Sequence, residues 1–120
     1  MNEYLGTLFQ TRTQAHIFHL QTNSFAAHKA LQEYYEGIVG LIDQIAEAYQ
    51  GKYGILTGYR MNLSVTDLAD GQQAIQYFDQ ILRFLELKRP SLPRDSYLQN
   101  LFDTVEELVA STAYKLKYLS

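Results

Sequence analysis

Apolar positions recur at steps of three and four along nearly the whole chain, the period of an α-helix with one buried face. Leu5, Leu8, Phe9, His16 and Leu20 mark a first helix over about residues 3–21. Thr22-Asn23-Ser24 interrupts it, and the Ser24 hydroxyl can accept from the free N–H groups that open a second helix. Leu31, Tyr35, Ile38, Ile42, Ile45 and Tyr49 are the stripe of that helix, over about 24–50, with Gly51 as its expected stop.

Residues 51–63 hold three glycines and no period, so they read as a loop. Ser64-Val65-Thr66-Asp67 is close to a capping box, with Asp in place of the usual Glu. Leu68, Ile75, Phe78, Leu82 and Leu85 follow, predicting a third helix over about 65–88 that Lys88-Arg89-Pro90 ends. Pro93 and Asp95 suit the start of a fourth helix, about 94–118, striped by Leu98, Leu101, Val105, Leu108, Thr112 and Leu119.

Four striped helices with mostly short loops predict an all-α four-helix bundle, a single domain over residues 1–120. No strand alternation or internal repeat competes with it. The long connection leaves two topologies open. A 27-residue helix is about 40 Å long, and thirteen extended residues reach at most roughly 45 Å. The loop could cross the bundle and set the second and third helices parallel, as in ferritin-like folds, or it could turn back.

Composition narrows the chemistry. The chain has 120 residues, 47% of them hydrophobic, enough for one real core. There is no cysteine, which removes disulfides, thiolate metal sites and a cysteine nucleophile. No apolar run approaches the ~20 residues of a membrane span. The opening Met-Asn-Glu-Tyr has neither region of a signal peptide, which makes the cytoplasm the expected compartment. A net charge of −3 without a basic tail offers no footprint for nucleic acid. Phosphate-binding glycine loops, G-x-S-x-G and H-E-x-x-H are missing, and all three histidines fall within the first 28 residues. Any metal must therefore be held by imidazole and oxygen.

On the second helix, a projection at ~100° per residue sets His28, Gln32, Asp43, Glu36 and Glu47 on a polar stripe beside the apolar one. His28 and Asp43 stand about 22 Å apart along the axis, so one chain cannot close both on one ion. An antiparallel copy related by a two-fold axis near residues 37 and 38 would set His28 opposite Asp43 and Glu47, giving two equivalent sites per dimer. His16 could approach His28 across the turn between the first two helices.

The segment from His16 through Glu47 resembles the ferroxidase region of the Dps-like branch of ferritin-like proteins, without gaps. That family spaces a first-helix His, a second-helix His twelve residues on, and an Asp-x-x-x-Glu pair fifteen and nineteen residues beyond, as His16, His28, Asp43 and Glu47 do here. The resemblance implies a ferritin-like four-helix bundle forming two-fold dimers and, in the family, cages. It also implies iron (Fe2+/Fe3+) or another divalent cation between subunits, and ferroxidase-type redox chemistry. Gln32 stands where the family usually has a carboxylate, and Ile17 where it commonly has Trp. The amide removes one charge from the ligand set His16, His28, Gln32, Asp43 and Glu47 and implies a weakened site. The short chain is more like the small ferritin-like proteins that some phages encode, which would place it in a host cytoplasm. His19 has no counterpart among the family's ligands, and Tyr34, Tyr35, Tyr49, Tyr53 and Tyr59 read as packing and contact residues. The competing class is a metal-free helical interaction or structural protein that keeps only the fold.

Overall fold

The computed structural model describes residues 1–119 and contains four α-helices: α1 (Asn2–Gln21), α2 (Phe25–Tyr53), α3 (Gly71–Lys88) and α4 (Ser96–Tyr118). A single 3₁₀ turn, Arg89–Ser91, bends the chain between α3 and α4. Two helix starts follow from side chains that accept from the first free N–H groups. Ser24 Oγ takes the Ala27 N–H, and the Asp70 carboxylate takes the Gln73 N–H.

Ion pairs at both ends of the helices show their directions. Lys88 at the end of α3 meets Glu3 at the start of α1. Lys52 at the end of α2 meets Asp95 just before α4, and Lys115 near the end of α4 meets Glu33 in α2 at 2.6 Å. Going round the molecule, α1 packs on α2, α2 on α4, α4 on α3 and α3 back on α1. Each neighbour runs antiparallel to the next, so α2 and α3 lie diagonally and point the same way.

That arrangement requires the α2–α3 connection to return along the full length of the molecule, and it does so on the outside of α1. The Arg60 N–H donates to the Asn2 carbonyl at 3.2 Å, at the start of α1. Leu68 donates its N–H to the side chain of Gln21, at the end of α1. Between these points α1 rises about 28 Å over nineteen residues. The strap has eight residues for the same distance, close to the ~3.3–3.6 Å per residue of a fully extended chain. Of the two topologies open to the sequence, the chain adopts the crossing one.

Three glutamines of α1 hold this strap. Gln14 binds Thr66 as a neighbouring β-strand would: its Nε2 donates to the Thr66 carbonyl and its Oε1 accepts the Thr66 N–H, both at 2.8 Å. Gln10 donates to the Ser64 carbonyl and accepts from the Tyr77 hydroxyl of α3. Gln21 takes the Leu68 N–H and donates to Asp67. These bonds also explain why α3 begins at Gly71, six residues later than the pattern predicts. Asp67 and the backbone of Thr66 and Leu68 are engaged by α1, so the Ser64–Asp67 box caps nothing and Asp70 takes over. At the other end α2 runs on through Gly51 and stops at Gly54, whose φ of +90° suits a residue without a Cβ.

The core comes from one face of each helix. Tyr4, Leu5, Leu8, Ala15 and Phe18 of α1 are buried with Leu31, Tyr34, Ile38, Ile42 and Ile45 of α2. Phe78 and Leu85 of α3 and Leu98, Phe102, Val105 and Val109 of α4 complete it. On α1 the buried face differs from the predicted stripe: Leu20 and His16 are exposed, while Thr11, Gln14 and His19 are inside. Apolarity alone is a weak guide on this helix because the strap and α2 cover its polar positions. Leu119 falls just past the end of α4 and is exposed, while Phe102 of α4 occupies the core position beside Tyr4, ring centroids 5.2 Å apart.

Candidate functional site

The α1–α2 turn brings all three histidines to one corner. His19, only 7% exposed, and the half-buried His28 stack ring on ring, centroids 3.7 Å apart and 20° from parallel. Each closes the turn on the other. His28 Nδ1 donates to the His19 carbonyl at 2.9 Å, and His19 Nδ1 donates to the His28 carbonyl at 2.7 Å. A carbonyl only accepts, so both rings carry a proton on Nδ1 and leave Nε2 with its lone pair in the neutral state. Among the described residues, Tyr4 Oη is the sole buried side-chain oxygen or nitrogen without a partner. Among the described residues neither Nε2 has a partner, and since neither is among the buried unpartnered atoms, both reach solvent.

His16 joins this corner through Tyr35, not through His28. Its imidazole stacks on the Tyr35 ring at 4.2 Å, and His19 meets the same ring edge-on at 5.3 Å. The exposed Phe25 covers the far side of His28 at 6.4 Å. The result is one continuous row of aromatic and imidazole rings from His16 to Phe25. His19 sits at its centre, although the sequence pattern assigned it no role. Its partner lies nine residues away across a turn, a spacing that no single-helix projection contains.

Gln32 lies one turn beyond His28 and donates to Glu36 at 3.0 Å. Asp43 and Glu47 are exposed, further along α2 and on its outward side. Within one chain they do not meet the histidines, as the helix length requires. Among the described residues, no three His, Cys, Asp or Glu side chains converge to hold an ion. One chain offers pinned imidazoles at one end of α2 and a free carboxylate pair at the other.

Two other polar clusters serve the fold. Arg89 donates to the Gln99 side chain at 2.7 Å, to Glu106 at 2.6 Å and to Asp103, tying the α3–α4 bend to two turns of α4. Asp95 accepts from Lys52 and from the Tyr53 hydroxyl, and these two bonds hold its carboxyl below the usual carboxylate range.

The chain belongs to the family described as a family of unknown function (DUF5856), whose profile matches residues 19–116. It is also similar to the "Uncharacterized 14.6 kDa protein in mobD-ri intergenic region" of Enterobacteria phage T4, at 38% identity over 53 residues. That match covers 44% of this chain and 41% of the phage protein, so it spans well under half of that relative's length. No solved structure matches. No helix among the described residues is long and apolar enough to cross a membrane.

Proposed function

We propose that this chain is a ferritin-like protein that pairs about a two-fold axis and binds iron or another divalent cation between subunits. His28 and Gln32, with His16 held on Tyr35 at the same corner, face Asp43 and Glu47 of a second copy. The observation that carries this is the fixing of His28. A ring that donates Nδ1–H to a backbone carbonyl and turns Nε2 to solvent has the tautomer and orientation of a metal-binding imidazole. The crossing topology, with α2 and α3 parallel, supports the ferritin-like part.

The donor set fits a borderline divalent ion: imidazole nitrogen from one chain, carboxylate oxygen from the other. Iron(II) held there would supply electrons to dioxygen or peroxide. The protein's own residues have simpler tasks. The His19 and His28 carbonyls hold the two rings in place, Tyr35 positions His16, and Gln32 contributes a neutral oxygen where a carboxylate would bind more strongly. A phage-encoded member would work in the host cytoplasm.

Anaerobic calorimetric titration with Fe(II) or Zn(II) tests this. Saturable binding near two ions per dimer, lost in His28→Ala, is the expected result. Absence of saturable binding would sink the metal site. It would leave the second reading, which the reciprocal His19–His28 bonds favour: a metal-free interaction protein in which the ring pair only clasps the α1–α2 turn.

A further inference from the structure

The strap over α1 has two edges, and among the described residues only one is used. Arg60 and Leu68 donate their N–H groups to α1, Thr66 both donates and accepts, and the Ser64 carbonyl accepts from Gln10. All four are even-numbered. In an extended chain, successive residues turn their N–H and C=O to opposite sides. Met61, Leu63 and Val65 therefore present theirs away from α1, and among the described residues their backbone groups have no partner.

Side chains alternate in the same way. Asn62, Ser64 and Thr66 line a polar cleft against Tyr77, while Leu63 is 84% exposed and Met61 and Val65 stand out beside it. Ile55, 78% exposed, and Tyr59 extend this apolar row toward the end of α2. Exposed strand edges are usually guarded by lysine, proline or a bulge. Residues 55–67 contain neither lysine nor proline.

We infer that the free edge of the strap pairs with the same edge of a second copy, antiparallel about Leu63. The sequence Met61-Asn62-Leu63-Ser64-Val65 is self-complementary in that register. Met61 falls opposite Val65 of the partner subunit, Leu63 opposite its own copy, and Asn62 opposite Ser64 of the partner subunit. Apolar thus meets apolar and polar meets polar at every position, which is what a two-fold contact demands. The strap edge lies on the α3 side of α1, whereas the His28–Glu47 stripe belongs to α2 on the other side. Pairing through the strap thus leaves the α2 stripe free, and one chain carries two self-pairing surfaces.

The absence of cysteine makes a direct test clean. In a hydrogen-bonded antiparallel pair the two Leu63 Cα atoms lie about 5.5 Å apart, within the ~4.4–6.8 Å range of disulfides. The two Val65 Cα atoms would be about 14 Å apart, four residues out of register. Mild oxidation is expected to give a covalent dimer of Leu63→Cys and to leave Val65→Cys single-chain. Leu63→Lys, at a position exposed in the monomer, should weaken association by about tenfold in sedimentation, because it sets like charges on the axis. Equal cross-linking of the two cysteine variants overturns the register. A Leu63→Cys chain that stays monomeric on oxidation, or a Leu63→Lys chain that associates like wild type, overturns the pairing itself. Because cross-linking is read without metal, a His28→Ala chain that loses metal but keeps the Leu63 cross-link separates this surface from the metal site.

Discussion

Gly6 and Arg60 meet backbone to backbone: a Cβ added to Gly6 would lie 1.9 Å from the Arg60 carbonyl oxygen. The strap can cross α1 this closely only where α1 has no side chain. Alanine is the better helix former by about 1 kcal/mol, so the two effects oppose each other. No rotamer change can move a backbone carbonyl, and the clash should win. Gly6→Ala is expected to lift the strap at Arg60 and to lower stability by about 1–2 kcal/mol, within the range for overpacking. Faster trypsin cleavage after Arg60, together with a lower denaturant midpoint, checks this. Unchanged cleavage and stability would refute the close approach.

Two buried tyrosines should respond oppositely to loss of the hydroxyl. Thr11 gives its hydroxyl proton to the Leu8 carbonyl at 2.7 Å, so Tyr34 is the donor in the 2.7 Å bond between Tyr34 and Thr11. The Tyr4 hydroxyl is buried without a partner. Tyr34→Phe should cost about 1 kcal/mol, whereas Tyr4→Phe should be neutral or stabilising by a similar amount. Urea denaturation of both variants decides it, and a larger loss for Tyr4→Phe would contradict the unpartnered hydroxyl.

Acid should expose the Asp95 cluster. Bonds from Lys52 and Tyr53 hold the Asp95 carboxyl below its unfolded value, near 4. A group shifted in that direction stabilises the fold above the unfolded pKa and loses its contribution as pH falls through the folded one. Stability of the wild type should therefore drop between about pH 4 and more acidic values by more than that of Asp95→Asn. Parallel curves for the two proteins would show that the cluster adds nothing.

A site shared between subunits predicts complementation. His28→Ala chains lack the imidazole, and Asp43→Ala/Glu47→Ala chains lack the carboxylates, so each homodimer should bind no metal. A mixed dimer keeps one intact half-set from each chain and should recover one ion. Titration of the refolded mixture checks this, and a mixture that binds no more than either variant alone would rule out sharing across a two-fold axis.

The four helices were foreseeable because their signals are local. Each α-helical bond spans four residues, so the apolar period of Ile38, Ile42 and Ile45 or of Leu98, Val105 and Thr112 carries its own evidence. Ser24 was recognisable as a cap for the same reason. The α3 start at Gly71 was not, since Ser64–Asp67 is a sound local signal overruled by Gln14 and Gln21, whose strap partners lie 46 to 52 residues away.

The candidate site divides along the same line. Sequence alone determined the helices and placed His28, Gln32, Asp43 and Glu47 on one flank of α2, because spacing along a helix fixes angle. Only the tertiary structure decided that His19 is the ring stacked on His28, that His16 turns to Tyr35, and that residues 60–68 cross the molecule as an extended strap. Those choices depend on hydrogen bonds between segments distant in the chain. Such partners leave no period in the sequence, and a glutamine that clamps a strap is written like one that faces water.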